Sequence, residues 1–130
     1  MLHPNQFQVN EAWIAFRLND APIPTDQEGP ANCFALMDAA SCFLLCAEAI
    51  RASSAEPSTG EFRRMLQKGR KHKQALPRTL FVAREQVSDL MTHEATRQNI
   101  SVVSVPESEL LLFIGEARES FGQQISGGPL

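Results

Sequence analysis

A chain of 130 residues with 43% hydrophobic and 21% charged residues has enough apolar material for one buried core and too little charge for a disordered chain. Its net charge of −3 argues against a protein that coats nucleic acid over its whole surface. It holds no run of about 18 apolar residues, and its first ten residues have neither the basic start nor the apolar centre of a secretory signal. These features predict one soluble, cytoplasmic domain over 1–130, with its ordered core over 11–121.

The run Trp13-Ile14-Ala15-Phe16-Arg17-Leu18 joins aromatic and aliphatic side chains and predicts a first strand, closed by Asn19 and Asp20. Pro22, Pro24, Gly29 and Pro30 block helix and central-strand geometry, so 21–32 reads as a loop. Two apolar runs, 33–37 and 42–49, flank Asp38-Ala39-Ala40-Ser41, a spacing that favours a β-hairpin over a helical hairpin. A turn centred on Ala39 and Ala40 would pair Met37 with Cys42 and Cys33 with Cys46.

Residues 52–60 hold Ser, Pro and Gly and predict another loop. Ser58 with Glu61 three residues later forms a capping box, and Phe62, Met65 and Leu66 give the following helix a narrow apolar stripe. Gly69 is expected to weaken or end that helix. After Pro77, Thr79-Leu80-Phe81-Val82-Ala83 is continuously apolar, as suits a strand covered on both faces. A helix over 85–98 places Val87, Leu90, Met91 and Ala95 on one side, and Asn99 stops it before a strand over 100–105.

Pro106 opens the last helix, with Glu107 and Glu109 at its positive end. Leu110, Phe113, Ile114, Ala117 and Phe121 make its apolar face. Leu111 and Leu112 widen that face, which implies a deeply buried helix or one shared in a homodimer. From Gly122 onward the chain is expected to fray into a flexible tail. The order predicts an α/β fold: a mixed sheet of three antiparallel strands followed by alternating helices and parallel strands.

The stretch Asn19-Asp20-Ala21-Pro22-Ile23-Pro24-Thr25, then Phe34-Ala35-Leu36-Met37-Asp38-Ala39-Ala40-Ser41, resembles the first strands of the RNase H-like core of DDE transposases and retroviral integrases. Leu76-Pro77 and Gln98-Asn99-Ile100, each before a strand, extend the likeness over 13–121. The resemblance implies an RNase H-like sheet and three carboxylates holding two divalent metals, Mg²⁺ or Mn²⁺. Carried onto this sequence, Asp20 stands in the first position and Glu116 or Glu119 in the third. The second falls on Ala83 and Arg84, with Glu85 about two residues late, so the catalytic set is incomplete. The punctuation is also similar to that of small bacterial domains of unknown function, a likeness that implies no activity.

Other groupings point weakly to chemistry. Cys33, Cys42 and Cys46 are odd in number, lie in apolar surroundings and lack a Cys-x-x-Cys spacing or a nearby histidine; they read as reduced, metal-free core thiols. His3, His72 and His93 share no ligand spacing. Ser41 and Cys42 beside Asp38 lack a histidine base.

Seven of the twelve Lys and Arg residues lie between Arg63 and Arg78 with no acid among them, while residues before Phe62 hold eight acids against two arginines. Arg63, Arg64, Lys68, Arg70, Lys71 and Lys73 therefore form a candidate contact surface for a nucleic acid or an acidic protein. No aromatic residue interleaves them to offer a stacking platform. The leading expectation is a non-catalytic interaction or nucleic-acid-associated module without cofactor. The alternative is a divalent-metal nuclease or polynucleotidyl transferase built on Asp20, Glu85 and Glu116 or Glu119.

Overall fold

A computed structural model describes residues 1–19, 21–24, 29–51, 57–85 and 89–127. Strand β1 (Ala12–Arg17) alternates two sets of side chains across the sheet: Trp13 and Ala15 on one face, Ala12, Ile14 and Phe16 on the other. All five are buried, which explains why the run carries no polar alternation. Strands β2 (Ala31–Asp38) and β3 (Leu44–Arg51) follow as an antiparallel meander. Helix α1 (Thr59–Lys73) crosses to β4 (Thr79–Ala83), and α2 (Asp89–Arg97) crosses to β5 (Ser101–Val105). The sheet order is β3-β2-β1-β4-β5, with β1, β4 and β5 parallel, as the helical crossovers require.

Each face of the sheet carries its own core. Phe62, Met65 and Leu66 of α1 and Met91 and Ala95 of α2 pack with Trp13, Phe34, Leu36, Leu80 and Val82. On the opposite face lies α3 (Leu111–Gly127), which a 3-10 turn at Glu107–Leu110 precedes. Leu110, Phe113 and Ile114 cover Ile14, Phe16, Ala35 and Met37 there. Phe7 completes that side, its ring 5.5 Å from Phe81 and 6.1 Å from Phe113.

Several expectations are corrected. The hairpin turn is wider than a centre at Ala39 and Ala40 allows. Asp38 N–H donates to the Phe43 carbonyl, Cys42 takes a left-handed φ of 58°, and Leu45 stands as an extra residue between Leu44 and Cys46. Met37 therefore pairs with Leu44, Cys46 opposes Leu36 and Cys33 opposes Ala49. Because side chains alternate, Cys46 packs on the α1 face and Cys33 on the α3 face.

Strand β2 begins at Ala31, within the expected loop, where Ala31 pairs with Ile23 and with Arg51. Helix α2 starts at Asp89 rather than Glu85, and Leu90 is 46% exposed because the buried side runs through Met91, Glu94 and Ala95; Val87 lies outside the described residues. Helix α3 continues past Gly122 to Gly127. Leu111 and Leu112, 47% and 52% exposed, point away from the sheet that Leu110, Phe113 and Ile114 cover.

Gly69 does not end α1. The helix runs four residues further, to a left-handed cap at Gln74. A Cβ at Gly69 would lie 2.7 Å from Cη2 and 2.8 Å from Cζ3 of Trp13, an indole with no exposed surface. The glycine is there for close approach. Gly69→Ala should therefore destabilise the fold by about 1–3 kcal/mol, the usual cost of overpacking. A lowered urea midpoint with a shifted Trp13 emission is the expected reading; an unchanged midpoint would contradict the close packing.

Candidate functional site: the cationic end of α1

The six basic residues expected to form a surface all lie on α1, but their neighbours divide them. Arg63 turns toward α2 and binds Glu94 in bidentate fashion, with Nε and Nη2 each 3.2 Å from its oxygens. Arg97 grips the same carboxylate at 3.2 and 2.7 Å, and Gln98 Nε2 donates at 2.6 Å. Glu94 has no exposed surface. The guanidinium hydrogen bonds of Arg97 and then Arg63 hold its carboxyl well below the usual range, overcoming the opposing effect of burial. Nothing in the amino-acid spacing flags Glu94 beyond an i, i+3 partner in Arg97, because Arg63 reaches it from 31 residues away.

On the other flank of α1, Arg64 and Lys68 converge on Glu48 of β3. The Lys68 ammonium, hydrogen-bonded to Glu48, keeps that carboxyl low. Arg70 and Lys71 are exposed, and neither forms an ion pair with a described residue. Lys73 lies with its Nζ 5.8 Å from the Phe43 ring centroid. Of the six, the cations without an ion-pair partner among the described residues are thus those of the last helical turn, where they also complement the negative end of the helix dipole.

The expected absence of an aromatic neighbour is corrected by the tertiary fold. Phe43, from the turn between β2 and β3, stacks on His72 of α1 with centroids 5.0 Å apart and planes inclined by 13°. The linear sequence separates these rings by 29 positions, which concealed the pair.

Of the carboxylates of the alternative reading, Glu85, Glu116 and Glu119 form no metal-binding group with other described residues. Asp20 lies outside the described residues. Glu85 follows the end of β4, where its Oε1 accepts the Glu107 N–H at 3.1 Å. Glu116 lines a groove of about 430 Å³ between α3 and the β2–β3 turn, with Ser41, Cys42 and Leu44 among its walls, and Glu119 is exposed. The α3 residue that reaches the end of β1 is Arg118. Its Nε donates to the Arg17 carbonyl at 2.9 Å, its Nη1 pairs with Glu107, and its guanidinium lies 6.0 Å from the Phe16 centroid. Among the described residues no three His, Cys, Asp or Glu side chains converge as a metal site would need.

Asp38 and Ser41 do meet, but in a structural role. One Asp38 oxygen accepts the Asn10 N–H at 2.6 Å; the other accepts the Ser41 N–H at 3.0 Å and its hydroxyl at 2.7 Å. The carboxylate shapes the turn and faces no histidine. Burial is the main influence raising the Cys33, Cys42 and Cys46 thiols, Cys46 to about 11, with Glu48, Asp38 or Glu116 adding to it.

Glu94 has a folded pKa below its unfolded one, so its stabilisation is present above about pH 4.3 and is lost as pH falls below that value. Glu94→Gln should flatten the acid limb of a stability–pH curve. Glu94→Ala should lower the urea midpoint, since it removes the carboxylate that joins α1 to α2 and leaves two half-exposed guanidiniums to be satisfied by water. An unaltered acid limb would remove Glu94 from that role. At pH 8 the native thiols should react slowly with a disulfide reagent and rapidly after unfolding; fast native reaction would contradict their raised pKa values.

No family model matches this chain, and no curated protein sequence matches it. Among solved structures it is similar to a chain of the simian T-cell lymphotropic virus intasome, determined by cryo-electron microscopy in complex with PP2A regulatory subunit B56 gamma. The match has a TM-score of 0.59 at 12% identity and covers 90% of this chain and 39% of that one. The likeness is one of fold, integrase-like in its five-stranded mixed sheet.

Proposed function

We propose that this chain is a non-catalytic binding module on an RNase H-like scaffold that engages polyanions, nucleic-acid backbone above all, through the cationic end of α1. One observation carries the reading: Arg63, Arg64 and Lys68 are paired with Glu94 and Glu48, while Arg70, Lys71 and Lys73 stand together at one helix end without a carboxylate partner among the described residues. Three unneutralised cations within four positions favour phosphate groups, whose bound counterions are released on contact.

A metal-dependent nuclease is the weaker reading, because Arg118 rather than a carboxylate of α3 reaches the end of β1 and a guanidinium there repels a divalent cation. No helix among the described residues is long and apolar enough to cross a membrane. The exposed Leu111 and Leu112 leave α3 open to a second copy of the chain.

Replacing Arg70, Lys71 and Lys73 together by Glu should abolish retention on heparin while keeping a cooperative thermal melt, lowered only by the lost helix-dipole contacts, since Phe62, Met65 and Leu66 keep their packing. Each lost phosphate contact should also reduce the slope of log affinity against log salt by about 1. Unchanged heparin retention by the folded triple variant would overturn the reading.

A further inference from the structure

Phe43 stands apart from the other phenylalanines. Of the eight in the chain it alone is strongly exposed, at 50%, whereas Phe16, Phe34, Phe62 and Phe113 are buried and Phe7, Phe81 and Phe121 are partly buried. The backbone of Phe43 is fixed on both sides: the carbonyl accepts from Asp38 N–H at 2.9 Å, and the N–H donates to Ser41 Oγ at 3.3 Å. The ring is therefore presented on a pinned turn. Its stacking partner, exposed His72, stands on the last turn of a 15-residue helix.

We infer that the Phe43–His72 pair is a stacking platform for an unpaired nucleobase, and that the cationic end of α1 recognises single-stranded nucleic acid, with Arg70, Lys71 and Lys73 taking the adjacent phosphates. The inference rests on the polyanion reading above and narrows it to one partner class. Geometry favours it over duplex or acidic protein. An aromatic face beside cations gains from every base that is splayed out, whereas the bases of a duplex stay within their own stack. A run of Asp and Glu has carboxylates for the cations and no π-face for the rings. The two exposed rings lie nearly parallel, as an incoming base can continue or enter. Both are held by backbone already ordered, so binding does not have to fix them.

Fluorescence anisotropy with labelled oligothymidylate and oligouridylate, their duplexes with oligoadenylate, and heparin as competitor tests the platform. Phe43→Ala should weaken single-strand binding about tenfold and leave duplex and heparin affinity unchanged. Phe43→Trp should retain single-strand binding, with tryptophan emission quenched on addition of the oligonucleotide, so a folding defect of the alanine variant does not decide the matter. Equal affinity of Phe43→Ala and the parent for the single strand would overturn the platform while heparin retention upholds the cationic end. Polyglutamate competing as well as oligouridylate would overturn it too. Failure of both heparin and oligonucleotides to bind the parent protein would overturn the polyanion reading, and this inference with it.

Discussion

The contact of the Trp13 indole with Gly69 fixes how the rest of the molecule is laid down. Trp13 sits in the central strand with no exposed surface, and α1 approaches it so closely that a single Cβ would collide. Its Nε1–H donates to Asn10 Oδ1 at 2.7 Å. Asn10 holds a left-handed φ of 65° and passes the constraint on: its N–H donates to Asp38 and its Nδ2 to the Ala75 carbonyl. A single buried ring thus joins the start of β1, the end of β2 and the chain just beyond α1. Those are the segments that bring His72 against Phe43, so the surface at the end of α1 depends on the core beneath it.

Charge on the α1 face is arranged by competition. Glu94, buried between α1 and α2, takes two guanidiniums and a carboxamide, and Glu48 on the edge strand takes Arg64 and Lys68. A solvent-excluded carboxylate is tolerable only when it is paired and hydrogen-bonded in this way. The pairings tie α1 to both of its neighbours and leave the positive potential at one end of the helix. The protein's acidic balance and its basic patch are therefore compatible, because the acids neutralise chosen members of the cluster.

The opposite face has a different logic. In this sheet the ends of β1 and β4 lie near the last helix, where Arg118, Glu107 and Glu85 meet. The guanidinium is satisfied by a carboxylate and a backbone carbonyl, and it lies against Phe16. These contacts anchor α3 and close the second core. Similarity of fold at 12% identity carries architecture, while chemistry depends on which side chains stand at those positions.

Most of the helices and strands were legible in short stretches of the amino-acid sequence. The continuous apolar run at Thr79–Ala83 marked a strand covered on both faces, Asn99 marked the stop before β5, the Ser58–Glu61 box set the start of α1, and the alternation of helix and strand implied the parallel half of the sheet. Local signals suffice there because periodicity and capping act within a few residues. Hairpin register escaped them, since one extra residue at Leu45 reverses which face a cysteine occupies. Gly69 read as a helix breaker because its reason for being small is an indole 56 positions away in the chain. The same holds for the surface: a count of lysines and arginines located the basic segment. Which cations Glu48 and Glu94 neutralise, and which aromatic ring joins the remainder, follow from packing between elements distant in sequence.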